Sequence, residues 1–223
     1  METVEKKQSG TSHLVEGLKA LNSEGCRFFI DANPQQETLI TSSRLRWLSI
    51  REKKGAYFTD EQNQALQRIA QLVDLTDANH LNIRILLYRH PRRYKRAERD
   101  VVVDLLRCGG TEIRYLKNND QLSRLALRGG KLFLSTAART GEAVNQGIVY
   151  ESFSPASDPL LESFRASFEA DFAKAKRLVL NKNGKIAYAD STLRLFVRWV
   201  SSEKGLAVIG TIVGIVGLLI ALL

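Results

Sequence analysis

The stretch Gly205–Leu223, "GLAVIGTIVGIVGLLIALL", carries no charge over 19 residues and limits what the chain can be. A bilayer core of about 30 Å is crossed by about 20 helical residues. A buried helix of a soluble protein would normally show a polar stripe, and this run offers only Thr211. The run is therefore expected to be a transmembrane helix. The residues before it are rich in base: Lys174, Lys176, Arg177, Lys182, Lys185, Arg194, Arg198 and Lys204. By the positive-inside rule the domain ahead of the run lies on the cytoplasmic side. The expected placement is a single-pass, tail-anchored protein of the bacterial inner membrane. Residues 191–204 place Leu193, Phe196, Val197 and Val200 against Arg194 and Arg198. That pattern suits an amphipathic juxtamembrane helix, with Arg198, Trp199 and Lys204 as interface anchors.

Within the apolar run, Ala207, Gly210, Gly214, Gly217 and Ala221 recur by alternating steps of three and four. They form one stripe of small residues, along which another helix can approach closely. The expected partner is a transmembrane helix of a larger complex, or a second copy of the chain.

The remaining residues suffice for one domain of ordinary size. Residues 1–10 read as a polar tail without the apolar segment of a signal peptide. The net charge of +9 and a pI near 9.7 suit a polyanionic neighbour, either nucleic acid or anionic lipid. The two cysteines, Cys26 and Cys108, lack metal-ligand spacing and suit a reducing compartment as small core residues. No glycine-rich nucleotide loop and no metal cluster stands out, so no cofactor is expected.

Periodicity places a helix over Thr11–Glu24, on Leu14, Val15, Leu18 and Leu21, and then a strand in "CRFFID" at 26–31. "RLRWLSI" alternates like a second strand. "TDEQ" at 59–62 is a capping box, with Thr59 as cap and Gln62 at the third helical position. "NIRILLY" at 82–88 is the clearest buried strand. A helix carrying Val101, Val102 and Leu105 follows and ends at "CGG", then a strand in "TEIRYL". "QLSRLALRGGKLFLSTAA", 121–138, is a hairpin. Asp158 and Pro159 open a helix lined by Leu161, Phe164, Phe168, Phe172 and Ala175. "LVLNKNGKIAYA" turns at Asn-Gly. Strand–helix–strand order implies parallel pairing. The expected fold over residues 11–190 is α/β, a mixed and largely parallel sheet sandwiched by helices.

From about Asn82 to Arg177 this order of elements resembles a phospholipase D-like domain, as one half-unit. "CGGTEIRYL" is similar to the family's strand before the catalytic hairpin, "LSRLALRGGKLFLSTAA" to the hairpin itself, "NQGIVYES" to a later strand, and "DPLLESFRASFEADF" to the closing helix. The resemblance implies a His-x-Lys-x4-Asp motif, used twice, with a histidine nucleophile and a histidine acid at one phosphate. The residues depart from it. Leu122 stands where the resemblance puts the histidine, Arg124 at the lysine and Gly129 at the aspartate. None of the three histidines begins such a motif. Ser135 and Thr136 match the family's phosphate-contacting serine only as hydroxyls.

Past "NIRILLY", the segment "YRHPRRYKR" gathers Arg89, Arg92, Arg93, Lys95 and Arg96 just beyond a strand end, where α/β folds bind ligands. It suits a phosphate or lipid-headgroup patch, RNA stacking on Tyr88 and Tyr94, or simply a solvated loop. The leading expectation is a non-catalytic, tail-anchored accessory protein with a pseudo-phospholipase D domain, docked on a larger membrane complex. The alternative is a membrane-bound phosphodiesterase, a phospholipase or nuclease, with atypical catalytic residues.

Overall fold

The computed structural model describes residues 10–43, 45–49, 59–73, 80–117, 123–136 and 146–189. The expected transmembrane run, its small-residue stripe, Arg198, Trp199, Lys204 and Leu122 lie outside these. Among the described residues no helix is long and apolar enough to cross a membrane.

Strand β1 spans Gly10–Glu16 and helix α1 Leu18–Ile30. Strand β2 is Thr38–Ser42, followed by the short α2, Arg46–Ser49, and by α3, Asp60–Val73. Then come β3, Ile83–Leu87; α4, Arg96–Arg107; and β4, Thr111–Tyr115. Strands β5, Ser123–Arg128, and β6, Lys131–Thr136, form the expected hairpin, and β7 is Gln146–Ser152. Helix α5, Pro159–Lys174, leads to β8, Lys176–Leu180, and β9, Ile186–Tyr188. All nine strands join one sheet in the order β1-β7-β6-β5-β2-β3-β4-β8-β9.

The expectation of a largely parallel sheet is corrected. Only β2–β3 and β3–β4 pair in parallel, through the crossovers that carry α3 and α4. The pairs β1–β7, β2–β5, β4–β8, β5–β6 and β6–β7 are antiparallel. A tight hairpin can join only antiparallel strands. The β5–β6 turn therefore converts this half of the sheet to a meander.

Three local expectations also change. Residues 11–16 are strand, not helix, because Gly17 at φ 86 breaks the chain before α1 begins. "CRFFID" is not a strand: Cys26 to Ile30 lie in α1. Gly25 sits inside that helix because a Cβ there would come 2.8 Å from the Trp47 ring. "RLRWLSI" holds α2 rather than a strand, and the strand lies earlier, at β2, where every residue is buried. A central strand covered on both faces has no alternation to read.

The capping box forms as expected. The Thr59 amide donates to Gln62 Oε1 at 3.0 Å, and the Gln62 amide donates to Thr59 Oγ1 at 3.2 Å. Gln62 Nε2 also donates to the Trp47 carbonyl, tying α3 to α2. Side chains alternate to two cores. On one face Ile40, Ile85, Ile113, Ala126, Phe133 and Val149 are buried, and Phe28 of α1 stacks on Phe133. On the other, Leu39, Leu86, Leu127 and Leu132 pack with Leu161, Phe168, Phe172 and Ala175 of the α5 segment.

Asp158 seats α5. Its Oδ1 accepts from the Leu160 and Leu161 amides at 2.9 and 3.3 Å, and its Oδ2 accepts from Tyr150 of β7. The Tyr150 hydroxyl foremost, then Ser152 and the helix amides, holds the Asp158 carboxyl below the usual range. The contribution is therefore present at neutral pH and is lost only as pH falls through that lowered value.

Gly110, at φ 77, closes α4 against the start of β3, and a Cβ there would lie 1.6 Å from the Leu81 carbonyl oxygen. Positive φ alone strains an alanine by roughly 1–3 kcal/mol. Gly110→Ala should lower the unfolding free energy from a denaturant titration by at least that strain. A neutral result would mean that the turn is not built this way.

Candidate functional site at the carboxyl edge of the parallel strands

Ligands of open α/β sheets gather where parallel strands end. Here that edge carries Ser42 at the end of β2, Tyr88 after β3 and Leu116 after β4. The antiparallel neighbours add the start of β5 and the end of β6. Arg124 pairs in register with Ser135, which is 2% exposed. Both face α1, and Arg124 Nη1 donates to Oδ1 of the fully buried Asn22 at 3.1 Å. Ser42 Oγ accepts from Trp47 Nε1 at 3.3 Å. Across the sheet, Tyr88 donates to Asp171 of α5 at 3.3 Å, and burial pushes its phenol up.

The basic segment lies at this same edge, two strand spacings from β5, or roughly 10 Å. It is a pinned loop. Pro91 and Tyr94 are buried, and the Tyr94 hydroxyl donates to the Ser43 carbonyl at 3.1 Å. Arg92, Arg93, Lys95 and Arg96 are exposed and Arg89 is half-buried. Among the described residues no carboxylate stands within ion-pair distance of these five. Several guanidinium groups elsewhere are matched: Arg27 to Glu24, Arg84 to Glu37 and Glu169, Arg114 to Glu112, Arg128 to Asp31. The loop gathers five unmatched cations within eight residues, while Arg99, Lys117, Lys174, Lys182 and Lys185 stand unpaired singly elsewhere on the described surface.

His90 belongs to that loop as a structural element. Its Nδ1 accepts from the Arg92 amide at 3.0 Å, and its ring meets Tyr115 edge-on at 5.1 Å. Burial, and then Arg92 and Arg93, depress its basicity. The other two histidines are remote. His80 precedes β3, whose five residues put roughly 17 Å of strand between it and His90. His13 lies on β1, five strand spacings from β3, or roughly 24 Å.

Of the positions singled out by the hairpin pattern, Arg124 reaches the edge. Gly129 does not, because it forms the turn at the opposite end, at φ 54, with Gln36 against it. The side chain of Thr136 is outside the described residues. Sequence reasoning missed Asn22, which reads as one more polar residue of a helix. It also missed the Arg84 cluster, although an arginine within "NIRILLY" was a visible sign of a partnered charge. Arg84 donates to Glu169 Oε2 at 2.7 Å and to Glu37 at 3.2 Å, over the Phe172 ring at 4.2 Å.

No protein-family model matches the sequence, and no curated protein matches it. Two solved structures are similar in outline. One is TrmBL2, an archaeal chromatin protein whose structure is described as showing a novel mode of DNA binding. Its TM-score is 0.46 at 12% identity, over 77% of this chain and 55% of that one. The other is Nuc from Salmonella typhimurium, a phospholipase D family member, with a TM-score of 0.47 at 9% identity over 76% of this chain and 99% of that one. This chain thus spans about half the length of TrmBL2. Likenesses this slight carry no statement about activity or ligand.

Proposed function

We propose that the protein is a non-catalytic, tail-anchored accessory protein: a pseudo-phospholipase D domain at the cytoplasmic membrane face, docked on a larger membrane complex. The observation that carries this reading is the dispersal of the histidines. Phosphodiester cleavage by the family's chemistry needs a nucleophile and a general acid on one phosphate. His13, His80 and His90 stand at three separate places in the fold. A second copy would add another His90, already engaged in capping its own loop. Arg124, bound to Asn22, occupies the edge instead.

In this reading the loop from Arg89 to Arg96 is the contact with anionic headgroups. Clustered cations near a membrane surface gain roughly 1 kcal/mol each, and here no internal carboxylate competes for them. Nucleic acid is the less favoured polyanion, since Tyr88 and Tyr94 are buried and cannot stack on bases. Purified full-length protein in mild detergent should therefore bind phosphocellulose through this loop. The Arg92→Glu, Arg93→Glu double variant should elute at clearly lower salt than Lys182→Glu, Lys185→Glu, which makes the same charge change elsewhere. Equal elution of the two would mean that bulk charge, not the loop, carries binding. Docking is tested by isolating the protein from its native membrane. Recovery of stoichiometric membrane subunits supports it, and recovery of the chain alone contradicts it.

A further inference from the structure

The two ends of the sheet are built differently. At one end β9 is three residues long and follows a turn bearing Lys182 and Lys185. A short strand beside lysines is a protected edge. At the other end β1 runs for seven residues, in unbroken register with β7. Its sequence, "GTSHLVE", has no lysine, arginine or proline. Among the described residues nothing pairs with its outer side. Leu14 is 57% exposed and its register partner Ile148 is 50% exposed, at the rim of an apolar hollow of about 400 Å³. Leu132, Leu134, Tyr150, Leu160 and Phe164 line that hollow. Long unprotected edges template pairing with another strand.

We infer that β1 is a homodimer edge, at which two copies join antiparallel strands about a two-fold axis at His13. The strand suits itself. Thr11 would face Val15 of the second copy, a β-branched pair favoured across strands. Ser12 would face Leu14, Glu16 would face Gly10 and the His13 rings would meet at the axis, so no Asp, Glu, Lys or Arg opposes a like charge. The Leu14 side chains of the two copies become diagonal neighbours, within reach on one face. They extend the apolar line from Ile148 across the axis. In this register each residue whose amide and carbonyl point outward meets another such residue, so both sets are satisfied. The strand's own sequence is the complement that fits this register: its single acid, Glu16, meets a glycine, and its apolar Leu14 meets Leu14 diagonally. The surface lies at the side of the sheet, apart from the carboxyl edge, and does not depend on whether that edge is catalytic.

Cysteine placement tests this in the full-length protein in mild detergent. Directly opposed Cβ atoms lie about 5 Å apart, so His13→Cys should give a disulfide-linked or short-bismaleimide-linked dimer. The native Cys26 and Cys108 are buried and serve as the unmodified background. Thr11→Cys should not link, because its two-fold mate would lie roughly 14 Å away. Lys185→Cys, at the other edge, should not link either. We expect at least tenfold more dimer from His13→Cys than from either control. Adding Leu14→Lys to His13→Cys should abolish the product while the melting temperature stays within a few degrees. No dimer from His13→Cys, or equal yields at all three positions, overturns the proposal. The comparison of positions separates this edge from any dimer formed through other parts of the chain, whose products would not follow the β1 register.

Discussion

Phe172→Ala should cost about 3–5 kcal/mol of stability, the usual range for emptying a buried aromatic site. For a domain of this size that is a fall of roughly 10 °C in melting temperature. Phe172 is 1% exposed and is the point at which α5 is held to the sheet. Its ring stacks on Phe168 at 5.1 Å, and the guanidinium groups of Arg84 and Arg114 lie 4.2 and 4.4 Å from its centroid. Alanine would remove the apolar area and leave two cations facing a void. Arg84 would keep Glu37 and Glu169, whose carboxylates are partly in water and hold it only modestly. Phe172→Leu should recover most of the packing but not the cation–π contribution of about 0.5–1 kcal/mol per cation. Thermal unfolding of the three proteins, followed by circular dichroism, checks the order wild type, Leu, Ala. A loss below 1 kcal/mol for alanine would mean that α5 does not seat on β2 and β3 as described.

Deleting Gly205–Leu223 should abolish the protein's carbonate- and salt-resistant hold on the membrane. About 20 apolar residues in lipid make a hold that alkaline carbonate does not release. The basic loop alone, at roughly 1 kcal/mol per cation, would make only a salt-sensitive contact. Full-length protein should therefore resist both carbonate and high salt, and the deletion variant should be released by salt if it is retained at all. Extraction of the intact chain by carbonate would refute the anchor. In the deletion variant, a cooperative melt would show that the described α/β domain needs no anchor to fold.

What could be read from residues alone follows physical lines. Elements with their own local signal were legible. Thr59 and Gln62 announced a cap, Asp158 and Pro159 a helix start, and Gly110 and Gly184 left-handed turns. Elements defined by tertiary contact were not. Gly25 and the aromatic residues after it looked like a break and a strand, but Trp47, twenty-two positions on, occupies the space and lets the helix continue. The strand β2, "TLITS", is buried on both faces, and its sequence does not alternate. Sheet direction was misjudged because βαβ units are easy to recognise, while the return of β5 beside β2 depends on contacts between Leu39 and Leu127 far apart in sequence. At the candidate site, the basic loop was legible as a run of charge. Its lack of internal counter-ions, and the union of Arg124 with Asn22, could be seen only in three dimensions.

This domain is expected not to cleave phosphodiesters. Purified full-length protein would be assayed for turnover of phosphatidylcholine, cardiolipin, single-stranded DNA and a chromogenic phosphodiester, beside a His90→Ala variant. No release above the protein-free background is expected for either protein on any substrate. Turnover that follows the wild-type protein through purification and disappears in His90→Ala would contradict it. That result would make His90, not Arg124, the residue around which the site is built.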